Sequence, residues 1–81
     1  MTEVFEAKLL ERKFRSIMQM IQSDCLKAKA AIEDVTIDYY EGCEILKYKI
    51  NGKVGEISCK LKNISQQMAD RVKAEIMKAA S

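Results

Sequence analysis

The cysteines are the first side chains in this sequence whose chemistry could indicate a function. They are Cys25, Cys43 and Cys59, and the chain contains no histidine. Because histidine is the commonest general base and a common zinc ligand, its absence leaves a cysteine nucleophile without its usual activating partner. The three thiols are widely spaced and form no CxxC motif, which argues against structural zinc and against a disulfide framework. We therefore expect no metal site.

Carboxylates are the other candidates for catalysis, and they cluster in the middle of the chain as Asp34, Asp38, Glu41 and Glu44. General acid–base chemistry needs paired acids in a concave, desolvated site, which so thin a fold barely offers. The three glycines form neither a GxGxxG pattern nor a P-loop, so no phosphate-binding loop and no cofactor are predicted. The sequence favours a protein that is not an enzyme.

The composition is that of a small globular protein. With 81 residues, 48% hydrophobic and 32% charged, residues 1–81 can form one domain but not two separate cores. The net charge of +2 is too small to indicate a strong electrostatic partner. The N-terminus lacks the apolar run of a signal peptide, and no stretch approaches the ~18 apolar residues of a membrane span. We expect a cytoplasmic protein with no membrane partner.

Helical periodicity marks both ends of the chain. In the segment of about 2–33, apolar residues recur in steps of three and four, which places them on one helix face. Ser23-Asp24 can cap a new helix start, so this long helix is predicted either to continue or to break there. A second helix is predicted over about 64–80, with Asn63 or Ser65 as its N-cap.

The middle of the chain alternates with a period of two, which predicts strands over about 35–40, 43–50 and 53–61. Two-residue turns at Glu41-Gly42 and Asn51-Gly52 would place Leu46 opposite both Ile37 and Ile57. Both hairpins then put the same apolar residues on one face of the sheet. That set is Val35, Ile37, Tyr39, Leu46, Tyr48, Ile50, Gly55, Ile57, Cys59 and Leu61.

The predicted fold class is α+β, with element order α-β-β-β-α. It is a three-stranded antiparallel meander with a long N-terminal helix and a C-terminal helix packed on one face. Over about Ile32–Ala80, this order resembles double-stranded-RNA-binding domains and the small Alu-binding proteins of the signal recognition particle. Where the RNA-binding family opens its last helix with a basic run, residues 63–69 read NISQQMA. The resemblance therefore concerns topology, and no functional residues are transferred from it.

The first helix is predicted to be longer than the sheet that it covers. About 30 helical residues span ~45 Å, whereas a domain of this size has a radius of gyration of ~12 Å. We therefore predict a homodimer through this helix in a non-enzymatic protein-interaction module, an adaptor, assembly factor or inhibitor that acts by occupancy. The predicted interface with the second copy or a protein partner is Leu10, Phe14, Ile17, Met18 and Ile21.

Nucleic-acid binding is the alternative, through the solvent-facing side of the sheet. Its predicted residues are Tyr40, Lys47, Lys49, Lys53 and Lys60, joined by basic residues of the first helix. Asp38 and Glu56 fall on the same face and weaken such a phosphate-binding surface. Salt dependence separates the two functions, because phosphate binding weakens steeply with added salt and an apolar interface does not.

Overall fold

A computed structural model describes the backbone of residues 2–80 and the side chains of residues 6–79. Helix α1 (Thr2–Ala28) is followed by strands β1 (Val35–Tyr40), β2 (Ile45–Gly52) and β3 (Gly55–Lys62), and by helix α2 (Gln66–Ala80). The strands form one antiparallel sheet in the order β1-β2-β3. This architecture confirms the predicted α+β class and the order α-β-β-β-α.

Helix α1 runs without interruption through Ser23-Asp24 and ends at Ala28, before the predicted end near residue 33. The chain leaves the helix because Lys29 adopts a left-handed conformation with φ of 54°. The N–H of Ala30 then donates to the carbonyl of Cys25 over 2.9 Å, the hydrogen bond of a Schellman motif. A separate 3-10 turn at Ile32–Asp34 leads into β1.

The first hairpin has a longer turn than the sequence predicted. Its turn spans residues 41–44, so Ile37 pairs with Tyr48 rather than with Leu46. Gly42, with φ of 87°, and Glu44, with φ of 53°, supply the left-handed conformations that reverse the chain. The pairing shift is an even number of residues, so every side chain keeps its predicted face.

The second hairpin does not turn at Asn51-Gly52 as predicted. Gly52 pairs with Gly55, which leaves Lys53 and Val54 as the turn, and Leu46 faces Leu61 instead of Ile57. A Cβ on Gly52 would overlap the carbonyl oxygen and the Cβ of Ala28, so this glycine lets the sheet approach the end of α1. The observed pairing also extends the β2–β3 ladder over the full length of both strands.

Both helices pack on the apolar face of the sheet. The inward side chains of the central strand, Leu46, Tyr48 and Ile50, are at most 1% exposed. Helix α1 contacts β2 and β3, whereas α2 contacts β1. The corresponding inward residues of β3 (Ile57, Cys59 and Leu61) are only half-buried. Ile37 and Tyr39 of β1 are half-buried as well. Coverage is therefore complete at the central strand and incomplete at both edge strands.

The loop from β3 into α2 is held by contacts from three directions. The Ser65 hydroxyl accepts a hydrogen bond from the Met68 N–H (3.2 Å), so Ser65 is the N-cap. Buried Ile64 donates its N–H to the carbonyl of Glu44 (3.0 Å) and accepts a hydrogen bond from the Tyr39 hydroxyl (2.9 Å). These contacts fix the start of α2 beside β1.

Candidate interaction surfaces

The predicted dimer residues on α1 divide into a buried group and one exposed residue. Phe14, Ile17, Met18 and Ile21 are between 0% and 9% exposed and belong to the core of a single chain. The sheet and α2 already cover them, so they form no open surface for a second copy. Leu10, in contrast, is 48% exposed.

Leu10 is exposed because α1 extends beyond the sheet. The helix has 27 residues, or ~40 Å, and the molecule measures 46 × 24 × 21 Å. Leu10 lies in line with Phe14 and Ile21 at helical spacing, but every residue from 6 to 10 is exposed. Leu9 is 47% exposed. The apolar stripe of α1 thus continues past the part of the chain that shelters it.

A hollow of about 310 Å³ lies where this overhang meets the start of α2. Leu10 lines one side, and Ser65, Gln67 and Met68 line the other. Arg71 closes it, because its guanidinium pairs with Glu11 at 2.7 Å and stacks 3.9 Å from the centre of the Phe14 ring. The ion pair and the stacked ring hold the two helices together at this point.

A second depression, of about 460 Å³, separates α1 from the β3 edge of the sheet; we call it the α1–β3 groove. Its helix side is formed by Ser16, Gln19, Met20, Ser23, Asp24 and Lys27, and its sheet side by Tyr48 and Cys59. Met20 is 42% exposed here. Leu9 lies on the same flank of α1, because eleven residues are about three helical turns.

The sheet side of the groove contains a hydrogen bond between strand and helix. The Tyr48 hydroxyl donates to Oδ2 of Asp24 over 2.7 Å, and the Tyr48 ring is 1% exposed. Burial, together with contacts to Cys59 and Asp24, raises the pKa of Tyr48 above its ordinary value of 10.0. The phenol therefore stays protonated and serves as a donor, which suits a structural role.

The solvent-facing side of the sheet brings together four of the five predicted nucleic-acid residues. The Lys47 ammonium lies 4.9 Å from the centre of the Tyr40 ring, and Lys49 pairs with Glu56 at 3.1 Å. Lys47 and Lys60 are direct cross-strand neighbours. Lys53, in contrast, lies in the turn after β2 and is not on this face.

Lys62 is a further member of the same face, and the predicted strand bounds left it out. Strand β3 was predicted to end at residue 61, but the longer pairing places Lys62 opposite Ile45. Period-two alternation from Lys60 was the signal that could have found it. Glu56, which was predicted on the same face, lies opposite Asn51 and forms a diagonal ion pair with Lys49.

The three thiols differ in exposure. Cys43 is exposed in the first hairpin turn, Cys59 is half-buried on β3, and Cys25 is buried. Burial, followed by the charges of Asp24 and Asp34, raises the pKa of the Cys25 thiol above its ordinary 9.0. Among the side chains that the structure describes, those of residues 6–79, no group of three or more Cys, Asp or Glu is arranged to hold a metal ion.

Comparisons with protein-family models, with curated proteins and with solved structures found no match to this chain. Neither of the two helices described combines the length and the hydrophobicity needed to span a lipid bilayer.

Proposed function

We propose that this protein is a non-enzymatic protein-interaction module that forms a homodimer through α1 and acts by occupancy, as an adaptor, assembly factor or inhibitor. The observation that carries the proposal is the 48% exposure of Leu10 in line with buried Phe14 and Ile21. An apolar stripe that outruns its own core needs a second surface to bury it. The open part of the stripe, and not its buried middle, is the proposed contact.

Leu9, Leu10 and Met20 are the α1 side chains that such a contact would bury. Each is between 42% and 48% exposed. Burying the exposed half of a leucine contributes roughly 1 kcal/mol at ~25 cal/mol per Å². A two-fold symmetric interface uses each residue twice, so three such residues contribute roughly 5 kcal/mol before the entropic cost of association. A micromolar dissociation constant requires about 8 kcal/mol of net binding free energy, so these three side chains supply only part of what such a dimer needs.

The test is the solution mass of the protein at micromolar concentration by sedimentation equilibrium. We expect a mass near twice 9.2 kDa for the native chain and a shift towards 9.2 kDa for the double variant Leu9→Ser, Leu10→Ser. Leu26→Ser is the matched control, because Leu26 is 81% exposed on a different face of the same helix. A native protein that stays monomeric would overturn the proposal.

Nucleic-acid binding through the solvent-facing side of the sheet is a second candidate function. The observation that favours it is the direct cross-strand placement of Lys47 and Lys60, two like charges that a phosphate could bridge. Lys62 extends the same row of β3. The neighbouring ion pair of Lys49 with Glu56 reduces the positive charge on this face.

A filter-binding or anisotropy titration against duplex and single-stranded RNA tests this second function. Binding should weaken steeply between 50 mM and about 200 mM salt if phosphates are contacted. The double variant Lys47→Glu, Lys60→Glu should abolish it, whereas Lys78→Glu on α2 should not. The absence of any salt-sensitive complex would remove nucleic acid as a ligand.

A further inference from the structure

We infer that two copies of this chain join through the free edge of β3, so that the two sheets form one continuous antiparallel sheet across a two-fold axis. The inference rests on the proposed function, because it names the surface by which the homodimer forms. It assigns the main contact to the β3 backbone, with the exposed flank of α1 packing above it.

Both β1 and β3 are edge strands of the three-stranded sheet, and the two edges differ in the space on their apolar side. At the β1 edge, α2 packs over the strand, and the Tyr39 hydroxyl is bonded to the carbonyl of Ile64. At the β3 edge, the α1–β3 groove leaves about 460 Å³ of space on the apolar side. Side chains of an added strand can enter that space, whereas α2 occupies the corresponding space beside β1.

The hairpin register determines which β3 backbone groups are free. Gly52 and Gly55 flank a two-residue turn, so they form a hydrogen-bonded pair. Hydrogen-bonded and non-hydrogen-bonded pairs alternate along an antiparallel ladder. Ile57, Cys59 and Leu61 therefore use their N–H and C=O groups towards β2. The groups of Glu56, Ser58, Lys60 and Lys62 point away from the sheet and lack partners in the ladder.

A second copy of β3 is complementary to this edge. When Cys59 lies opposite the partner's Cys59, Glu56 faces the partner's Lys62, and Ser58 faces the partner's Lys60. In this register, all of the outward backbone groups of these four residues find partners. On the apolar side, Ile57 faces the partner's Leu61. Oppositely charged side chains are therefore paired on the solvent-facing side of the sheet, and apolar side chains are paired on the side that the helices cover.

Other registers satisfy the edge less well. A shift by an odd number of residues would place charged side chains of one copy on the apolar face of the other. Pairing Ser58 with the partner's Ser58 keeps the faces matched but leaves Lys62 beyond the end of the opposite strand. The pairing centred on Cys59 is thus the register in which every residue of β3 from Glu56 to Lys62 has a partner on the opposite strand.

The half-buried inward side chains of β3 become more buried in this dimer. Ile57, Cys59 and Leu61 are less buried than their neighbours on β2, because no further strand follows β3. In the dimer, the partner's β3 lies beside them, and the α1 flank of each copy faces the shared groove. Leu9 and Met20, at 47% and 42% exposed, lie on that flank. This dimer would account both for the exposure of Leu9 and Met20 and for the groove beside β3.

The decisive variant is Ser58→Pro, examined by sedimentation equilibrium and circular dichroism. Proline removes an N–H that points outward, so the β2–β3 ladder keeps its own hydrogen bonds and the fold should persist. We expect the dimer dissociation constant to rise at least about tenfold. Ser58→Thr, which keeps the N–H, should dimerise like the native chain. If circular dichroism shows that the proline variant is unfolded, the charge-exchange variants provide the test.

Charge exchange tests the register without touching the backbone. Lys62→Glu alone places two acids opposite each other and should weaken the dimer, and Glu56→Lys combined with Lys62→Glu should restore it. Oxidation with diamide is the second readout, in a Cys43→Ser background that removes the exposed thiol. Opposed non-hydrogen-bonded residues lie ~4.5 Å apart at Cα, so Cys59 should form an intersubunit disulfide that Ser58→Pro prevents.

The outcomes separate this inference from the proposed function. A dimer that survives Ser58→Pro with no Cys59 cross-link would overturn the β3 edge as the contact and leave dimerisation through α1 standing. A native chain that is monomeric at micromolar concentration would overturn both. A dimer that is lost in Ser58→Pro, weakened in Lys62→Glu and restored in the double variant Glu56→Lys, Lys62→Glu supports both.

Discussion

The Tyr48 hydroxyl on the central strand donates a 2.7 Å hydrogen bond to Oδ2 of Asp24 on α1. Asp24 belongs to the one dipeptide at which the long helix was predicted to break if it broke at all. Its carboxylate points to the sheet and accepts from Tyr48, so it is not used to cap a new helix. The interaction joins α1 to β2 at the side of the α1–β3 groove and favours the uninterrupted helix.

Replacing Tyr48 with phenylalanine should lower the free energy of unfolding by about 1–2 kcal/mol, because a hydrogen bond to a carboxylate is lost while the ring remains buried. Urea denaturation followed by circular dichroism measures the difference. Tyr40→Phe is the control, since the Tyr40 ring is 46% exposed and its hydroxyl makes no contact of this kind in the described residues. Equal effects from both variants would show that the Asp24 contact contributes nothing.

The stability of the protein should fall as the pH rises above about 9, through Cys25, and fall further above about 10, through Tyr48. Burial raises the pKa of Tyr48 above 10.0 in the folded state, so the unfolded state loses its proton first and alkaline pH favours unfolding. Burial raises the pKa of Cys25 above 9.0 with the same sign. This stabilisation is complete at neutral pH. Thermal unfolding between pH 8 and about 11 should show a shallower decline for Tyr48→Phe than for the native chain.

Gly52→Ala should destabilise the protein by about 1–3 kcal/mol, because a Cβ at this position would overlap the carbonyl oxygen and the Cβ of Ala28. Asn51→Ala is the control and should be nearly neutral, since exposed Asn51 is in strand β2. In the Asn-Gly turn that the sequence favoured, both substitutions would be costly. Chemical denaturation of the two variants therefore also tests the observed register.

Lys29→Gly should stabilise the protein by about 0.5–1 kcal/mol. Lys29 ends α1 with φ of 54°, a left-handed conformation that costs a residue with a Cβ and suits glycine. Lys27→Gly is the matched control, because position 27 is within α1 and glycine there should destabilise by a similar amount. Melting temperatures that move in the same direction for both variants would contradict this assignment.

Much of the fold could be predicted, because the period of the hydrophobic residues indicates which segments are helices and which are strands. Alternation assigned Val35–Tyr40 to a strand with the bounds observed, and Ser65, one of the two N-caps predicted for α2, is the residue that caps it. The predicted turn positions were wrong, and they gave the wrong cross-strand pairs in both hairpins. Both registers differ from the predicted ones by an even number of residues, so each side chain keeps its face. The prediction that Leu46, Tyr48 and Ile50 point inward was therefore right.

The candidate surfaces were less predictable, since exposure depends on what lies nearby in space. Phe14 and Leu10 share one stripe and are indistinguishable by pattern, yet one is 9% exposed and the other 48%. The hydrophobic pattern indicates which face of a helix is buried. It does not indicate at which residue the neighbouring elements stop burying that face.

The sequence by itself determined the number and type of elements and the face that each one buries, because these follow from local periodicity. Only the tertiary structure decided the registers, the length of α1 that the sheet shelters and the groove between α1 and β3. Those outcomes depend on contacts between residues far apart in the chain, such as Gly52 beneath Ala28, where the space available to a single atom selects one pairing over another.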